Sequence, residues 1–457
     1  MCCKQILPRT AKMYLIRFFF AALMTVSYLV SDVQAQSKEG RVTFSELRIV
    51  LGEVFGLPPK RLQLDTNLKQ DFQIDTAVFM DKMNRVYFRF RIAQPEKQLA
   101  TIEKILNHLQ TAKKASIKKK RRFFSFHDKP SKSREQGVFF ATNRKSTKNR
   151  DPEHMFSGQP ITRKIVKYGL AYVNLPEVRK RGTIPRPLFG LRSLRTDRKH
   201  MFVKRLKMFD SRDLFMTNIG SHNRVPLMLY VHGFNNTFGE SVIRAAQVVE
   251  DFQFPGLPVV FSWPSNGSAL SYSADLSDAE SSVPAFMSFI KELNRRFDER
   301  EIHLVAHSMG ANLVIKTLQR LSDQGVKGPV FKSVILAAPD VNTHIFNAES
   351  AKYLEPLAQH WAVYTSQRDY TLLVSGWYND TPRLGNTPLP LQGMQMIDAS
   401  TIEVTPWNVS EVHSYFAIKK RIVDDMKGVI SGISPQVRGL IKQPTGQAAI
   451  WLLSVDK

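Results

Sequence analysis

The sequence predicts an α/β fold, with a mostly parallel sheet covered by helices on both faces, preceded by a small all-α unit. Between Gly137 and about residue 430, short apolar runs alternate with stretches of helical periodicity. Apolar runs joined by amphipathic helices are typical of a parallel sheet that is buried on both faces. Upstream, residues 42–110 contain only helical patterns. These two observations define the fold class.

The most informative stretch begins at Glu301. A short, mostly apolar run ends at Ala306, Ser308 and Gly310 follow, and a helical pattern begins at once. The apolar stripe of that helix consists of Leu313, Val314, Thr317, Leu318 and Leu321. A strand, a serine between small residues and a helix form the nucleophile elbow of α/β-hydrolases. Ala306 replaces the usual first glycine. The alternative is an ordinary strand-to-helix turn with a capping serine.

Residues 1–35 are predicted to be a secretory signal. Basic residues precede an apolar run from Phe18 to Val30, and Val33-Gln34-Ala35 resembles a cleavage site. We therefore expect export to the periplasm or the extracellular space; an uncleaved membrane anchor is the alternative. Cleavage would remove both cysteines, Cys2 and Cys3, which excludes a cysteine nucleophile or a thiolate metal site.

Residues 36–112 are predicted to form a helical domain. The stretch from Phe55 through Leu68 to the pair Asp71 and Asp75 resembles an acyl carrier protein. In that family the residue after the second aspartate is a serine that carries phosphopantetheine. Here it is Thr76, so the resemblance implies a carrier-like fold that has lost its prosthetic group. An unrelated helical bundle is the alternative.

The overall charge is strongly positive, with 65 Lys and Arg against 40 Asp and Glu, or a formal net charge of +25. Such a chain prefers anionic partners. The charge is dense in residues 113–135, where seven basic residues precede Phe123, Phe124 and Phe126. This segment is predicted to be a solvated linker or a patch that binds an anionic membrane or cell-envelope polymer. No nucleic-acid-binding module is visible, so no specific nucleic acid is predicted.

The hydrolase domain is predicted to cover residues 136–430, with residues 431–457 as a C-terminal extension. The predicted elements are strands at 138–142, 168–176 (an edge strand), 226–230, 256–263, 333–339, 360–366 and 394–397 (the last strand), together with one helix at 279–297.

An acyl-transfer site requires a nucleophile, a base and an acid, in the chain order Ser, Asp or Glu, His in α/β-hydrolases. Ser308 is the predicted nucleophile. Asp369 follows the strand before last and is the predicted acid, and Asp340 is the alternative acid. His413 lies after the predicted last strand and is the predicted base.

The oxyanion hole is predicted to use the backbone amides of Met309 and Phe234. Phe234 belongs to the loop that follows the strand at 226–230. Gly233 in this loop would allow close backbone approach, with His232 and Asn235 in supporting positions. For His232 we expect a structural hydrogen bond rather than a catalytic role.

Five segments together resemble a bacterial α/β-hydrolase family of largely unknown function: FFATNR (139–144), VHGFNN (231–236), FSWPS (261–265), AHSMG (306–310) and LAAPD (336–340). The resemblance covers about residues 137–430 and implies a Ser-Asp-His triad without naming a substrate. No metal-ligand spacing and no Gly-rich phosphate loop is present, so neither a metal nor a cofactor is expected.

We therefore expect an exported serine hydrolase that acts on carboxylic esters, with an ester-containing small molecule or lipid as substrate. One alternative is a non-enzymatic interaction protein that docks partners through its basic and carrier-like regions, since a fold does not determine a function. The other alternative is an acyltransferase.

Overall fold

The computed structural model describes residues 47–48, 51, 55, 57–58, 61–76, 78–79, 82–83, 86, 99, 101–108, 111, 134–161, 165–177, 179–187, 195–222, 224–297, 301–346, 348–404, 412–445 and 448–454. These residues fall into two compact units. The larger unit contains residues 134–432 and 441–454, and the smaller unit contains residues 47–111 and 433–440. The predicted signal, residues 1–35, lies outside the described residues, as does nearly all of the basic segment 113–135.

The larger unit contains the sheet and its helices. Its strands are β1 (Arg134–Thr142), β2 (Arg144–Ser146), β3 (Phe156–Pro160), β4 (Lys167–Leu175), β5 (Phe202–Phe209), β6 (Leu227–Val231), β7 (Leu257–Ser262), β8 (Ile302–His307), β9 (Phe331–Ala337), β10 (Ala358–Thr365), β11 (Gln395–Asp398), β12 (Ile441–Thr445) and β13 (Ala448–Leu452). Its α-helices are α1 (Arg212–Gly220), α2 (Phe238–Phe252), α3 (Tyr272–Ser281), α4 (Val283–Arg296), α5 (Met309–Asp323), α6 (Ala348–Leu354), α7 (Tyr370–Tyr378), α8 (Tyr415–Ile418) and α9 (Lys420–Ile430).

Eleven of the described strands form one sheet in the order β12-β13-β11-β10-β9-β8-β6-β7-β1-β4-β5, and β2 pairs with β3 separately. From β1 through β7, β6, β8, β9, β10 and β11 to β13, neighbouring strands are parallel. Antiparallel pairs occur at the two ends, between β1 and β4, β4 and β5, and β12 and β13. The fold is therefore the predicted α/β-hydrolase fold, with a mostly parallel sheet.

The central strands are buried along their whole length, as expected for a sheet that helices cover on both faces. Every residue of β6, β7 and β8 is buried. Helix α2 begins with a capping box in which Thr237 and Glu240 bond each other's backbone, and twelve of its fifteen residues are buried. This packing holds the carboxyl ends of β6, β8 and β9 close together at one edge of the sheet.

Three predicted elements were wrong in detail. The strand at 168–176 is not at the edge, because β5 pairs with β4 on its outer side. The single helix at 279–297 is two helices that meet at Ser282; Pro284, which has no N–H to donate, stands in the first turn of α4. The strand at 394–397 is not the last, because β13 pairs with β11 and β12 pairs with β13.

The smaller unit has its own hydrophobic cluster. Its described members are Leu47, Leu51, Phe55, Leu62, Leu68, Phe79, Met83, Val86, Ile102 and Ile105. A short helix, Leu68–Asp71, is capped by the Asn67 side chain, and residues 102–108 are helical. Thr76 is exposed. The resemblance of this unit to an acyl carrier protein stays a prediction.

Candidate active site

Ser308 occupies the turn between β8 and α5. Its backbone has φ of 54° and ψ of −124°, a conformation that residues other than glycine rarely adopt. Such a conformation costs on the order of 1–3 kcal/mol and persists only where the surroundings hold it. Here the end of β9 and the following loop hold it. The Ser308 amide donates to the Ala337 carbonyl at 3.0 Å, and the Asp340 amide donates to the Ser308 carbonyl at 3.1 Å.

The turn leaves no room for side chains at two glycines. A Cβ at Gly310 would lie 2.3 Å from the carbonyl oxygen of His232, and one at Gly233 would lie 2.8 Å from the Cβ of Ser308. Both distances are far below van der Waals contact. The small residue at position 310 is therefore required by the packing of the turn against the loop after β6, as we inferred from the sequence.

Ser308, His413 and Asp369 form one hydrogen-bonded chain. His413 Nε2 lies 2.8 Å from Ser308 Oγ, and His413 Nδ1 lies 2.8 Å from Asp369 Oδ2. Because a carboxylate can only accept, Nδ1 carries the proton and Nε2 is left to accept from the serine hydroxyl. Asp369 is fully buried, and its other oxygen accepts from the Leu372 amide at 3.1 Å, which caps helix α7. The imidazole is therefore held in one tautomer.

Asp340, the alternative acid, has different partners. Its carboxylate accepts hydrogen bonds from the hydroxyls of Tyr272 at 2.8 Å and Ser375 at 2.7 Å, and Arg383 Nε lies 3.2 Å from it. These hydrogen bonds link α3 and α7 to the loop after β9. Of the two aspartates, Asp369 is the one that bonds His413.

The electrostatics of His413 suit a proton acceptor. Burial lowers the pKa of its imidazole, but the charge and hydrogen bond of Asp369, together with the charge of Asp340, outweigh burial and raise it above the ordinary value. His307 differs from it: burial and then the charge of His413 hold the pKa of His307 well below the usual range, so that this ring stays neutral.

His307 contacts both the backbone and the ring of His413. Its Nε2–H donates to the His413 backbone carbonyl at 3.2 Å, and its ring packs 4.7 Å from the His413 ring and 4.5 Å from that of Phe416. Sequence reasoning missed this contact. The only local signal was a histidine directly before the elbow serine, which does not reveal a partner 106 residues away.

The loop after β6 is organised by Arg144, which is fully buried. Its guanidinium donates to the carbonyls of Ser157, Ser265 and Asn236 at 2.7–3.2 Å, to Ser262 Oγ at 2.9 Å, and lies 3.3 Å from His232 Nε2. Burial lowers the pKa of Arg144 to about 9, so it remains charged at neutral pH. All five N–H groups of the guanidinium thus have acceptors.

His232 lies among groups that hold the loop after β6. It is fully buried and stacks on Trp263, with ring centroids 4.8 Å apart. Burial, and then the charge of Arg144, lower its pKa to about 3, so the ring is neutral. Its Nδ1 bonds the Gly233 carbonyl at 2.8 Å. Its described partners hold the loop, and none of them is Ser308, Asp369 or His413.

Asp275 also holds this loop, and sequence reasoning missed it. Its buried carboxylate accepts from the amide of Asn235 at 3.3 Å, from the hydroxyl of Ser265, and from both the amide and the side chain of Asn266. Asn235 has a φ of 56°, a conformation that asparagine tolerates better than most residues. The loop that carries Phe234 is therefore fixed at both ends.

The two predicted oxyanion residues belong to the two segments that meet at the serine. Met309 is the first residue of α5, where backbone N–H groups have no acceptor within the helix. Phe234 follows Gly233, which lies against Ser308. The Gly233 carbonyl is bonded to His232, so the Phe234 amide of the same trans peptide points the opposite way.

Within the described part of the chain, no group of three or more His, Cys, Asp or Glu residues is arranged to hold a metal ion. None of the helices built from those residues has both the length and the hydropathy needed to span a bilayer.

This sheet, with a strained serine at the turn from a central strand into a helix, is the α/β-hydrolase fold. A family profile described as "Alpha/beta hydrolase of unknown function (DUF900)" matches residues 208–426, slightly less than half of the chain. The matched region contains Ser308, Asp369 and His413.

One curated relative is the "Uncharacterized protein alr1448" of Nostoc sp. (strain PCC 7120 / SAG 25.82 / UTEX 2576). It is 39% identical over 66 residues, which is 14% of this chain and 17% of the relative. The match thus spans about a sixth of that protein's length.

Proposed function

We propose that the larger unit is a serine hydrolase that acts on carboxylic esters. The observation that carries the proposal is the hydrogen-bonded chain from Ser308 Oγ through His413 to the buried Asp369, with both hydrogen bonds at 2.8 Å. A nucleophile bonded to a base, which is oriented by a third group, is the arrangement that acyl transfer requires.

In the proposed reaction, Ser308 Oγ attacks the ester carbonyl carbon while its proton passes to His413 Nε2. The tetrahedral intermediate collapses, the bond to the alcohol oxygen breaks, and His413 returns the proton to the departing alcohol. A water molecule then repeats these steps on the acyl-serine and releases the carboxylic acid. Asp369 holds the Nδ1 tautomer and stabilises the imidazolium that forms.

The negative oxygen of each intermediate would be stabilised by the backbone amides of Met309 and Phe234. The position of Met309 at the positive end of a fifteen-residue helix supports its part in this. For Phe234, support comes from a loop that Arg144 and Asp275 hold rigid, because preorganised donors need no rearrangement during the reaction.

Export through the segment at 1–35 remains part of the proposal, and so does a helical unit without a prosthetic group at Thr76. Both rest on the sequence patterns alone.

The proposal is tested by labelling the folded protein with a fluorophosphonate probe. We expect wild type to be labelled and Ser308→Ala to be unlabelled, because the probe bonds only to an activated serine. His413→Ala should also lose labelling, since it lacks the base. Ser221→Ala, which changes an exposed serine at the end of α1, is the matched control and should label like wild type. A folded wild type that is not labelled would contradict the proposal and favour a non-enzymatic interaction protein.

A second expectation concerns pH. The base must be neutral, and the pKa of His413 is raised, so kcat/KM should fall as pH drops through a midpoint above the ordinary histidine value of about 6.5. The measurement is a pH profile of kcat/KM on a short soluble ester. A midpoint at or below the ordinary value would show that Asp369 and Asp340 do not act on His413 as described.

A further inference from the structure

Helix α7 exposes large apolar side chains in an arrangement that core packing does not explain. Tyr370, Leu373, Trp377 and Tyr378 are each 37–46% exposed, and the first three follow at i, i+3 and i+7 on one face of the helix. Leu270, in a short 3-10 helix, is 64% exposed. We call these five residues the apolar rim.

The segments that carry the apolar rim lack charge. In a chain of which 23% of the residues are charged, residues 264–274 and 370–379 contain no Lys, Arg, Asp or Glu. Only Leu372 and Ser375 of α7 are buried. Most residues of this helix therefore lie at or near the surface, yet none of them is charged. Contiguous exposed apolar residues on a soluble unit indicate an interaction surface.

The apolar rim is continuous with the loop beside Ser308. The ring of Phe234 packs on Tyr272 at 5.5 Å, Tyr272 packs on Tyr378 at 5.4 Å, and the Tyr378 hydroxyl bonds Ser273 at 2.6 Å. At its other end α7 begins directly after Asp369. An aromatic series thus leads from the surface to the loop against Ser308.

We propose that the apolar rim docks on an anionic lipid bilayer and that the ester substrate is a lipid of that bilayer. The choice of substrate rests on the proposed hydrolase function. The net charge of the chain favours an anionic bilayer over a second copy of the chain as the partner. A chain with a formal net charge of +25 is attracted to an anionic surface and is repelled by a second copy of itself. Tyrosine, tryptophan and leucine beside each other suit the boundary between headgroups and acyl chains.

Docking is measured with the full Ser308→Ala chain, which removes the proposed nucleophile. The assay is co-sedimentation with vesicles of phosphatidylcholine with or without phosphatidylglycerol. We expect binding to the anionic vesicles that weakens with salt, and a loss of affinity of about tenfold or more when Leu373→Ser and Trp377→Ser are added. The matched control adds Met208→Ser and Leu214→Ser, two exposed apolar residues on β5 and α1, and should bind as before.

Trp377 supplies a second measurement. Of the other four tryptophans, Trp263, Trp361 and Trp451 are buried and Trp407 lies outside the described residues, so Trp377→Phe is needed to identify the contribution of Trp377. Its fluorescence should shift to shorter wavelength when anionic vesicles are added, and this shift should be absent in Trp377→Phe. Equal binding of the rim and control variants would overturn the proposal. So would self-association that the rim variant abolishes, since the occupant would then be a second copy.

The hydrolase proposal and the docking proposal can be contradicted independently of each other. If anionic vesicles bind through the apolar rim but wild type neither labels with fluorophosphonate nor cleaves soluble esters, the hydrolase fails and the docking surface stands. If both hold, the same substitutions are made in the chain that retains Ser308. Leu373→Ser with Trp377→Ser should then show a lower ratio of vesicle-lipid to soluble-ester hydrolysis than Met208→Ser with Leu214→Ser. An unchanged ratio would overturn the membrane lipid as substrate.

Discussion

Replacing Asp369 with asparagine is expected to lower kcat for ester hydrolysis about 10⁴-fold, because an amide facing Nδ1 no longer selects the tautomer in which Nε2 accepts the serine proton. The charge that raises the pKa of His413 would also be lost, so the acid limb of the kcat/KM profile should move to lower pH. Steady-state kinetics across pH measure both effects. The capping bond to Leu372 can be retained by the asparagine oxygen, so folding should be little affected.

Asp340→Asn is the matched control, since Asp340 is also buried and also follows a strand, but it accepts hydrogen bonds from Tyr272 and Ser375 and forms an ion pair with Arg383. We expect kcat to stay within about tenfold of wild type, because no hydrogen bond to His413 is lost. The acid limb should still move slightly downwards, since the Asp340 charge contributes to the raised pKa of His413. A larger kcat loss for Asp340→Asn than for Asp369→Asn would reverse the assignment of the acid.

Replacing Arg144 with methionine is expected to destabilise the larger unit by about 3–5 kcal/mol. The buried carbonyl of Ser265 and the partly buried carbonyls of Ser157 and Asn236 would lose this donor, and each unsatisfied buried group costs about 1–3 kcal/mol. Relief of the desolvation that lowers the pKa of Arg144 offsets part of that sum. Unfolding in guanidinium chloride, followed by tryptophan fluorescence, measures the effect; Trp263, which stacks on His232 beside the site of change, contributes to that signal.

Arg150→Met is the control, because Arg150 is exposed and lies only six residues further on. It should change the free energy of unfolding by no more than about 0.5 kcal/mol. Arg144→Lys should be nearly as harmful as the methionine variant, since an ammonium cannot reach the same acceptors with a planar fork of five donors. A loss below about 1 kcal/mol for Arg144→Met would show that other contacts hold the loop.

The sequence by itself determined the features that depend on local patterns. The apolar strand, Ser308 and the helical stripe after it are contiguous, so periodicity predicted the turn. The alternation of strands and helices predicted the α/β-hydrolase fold, and the structure confirmed that fold for the larger unit. Chain order then selected His413 and Asp369, which the structure places in one hydrogen-bonded chain with Ser308. Their catalytic roles stay predictions.

Local patterns failed where composition was ambiguous. The strand β12 contains Pro444, which weakens any strand prediction, yet proline is tolerated at the sheet edge where β12 lies. The break between α3 and α4 was predicted as continuous helix, because the apolar periodicity of α4 obscured the signal of Pro284.

Only the tertiary structure shows which of Asp369 and Asp340 forms a hydrogen bond with His413. Both follow a strand, and nothing local shows that one carboxylate would meet His413 while the other meets Tyr272 and Ser375. Likewise, Arg144 contacts groups up to 121 residues away, and each is ordinary in its own segment. Such partnerships arise because a parallel sheet brings the carboxyl ends of distant strands to one edge, and that proximity has no signature in the sequence between them.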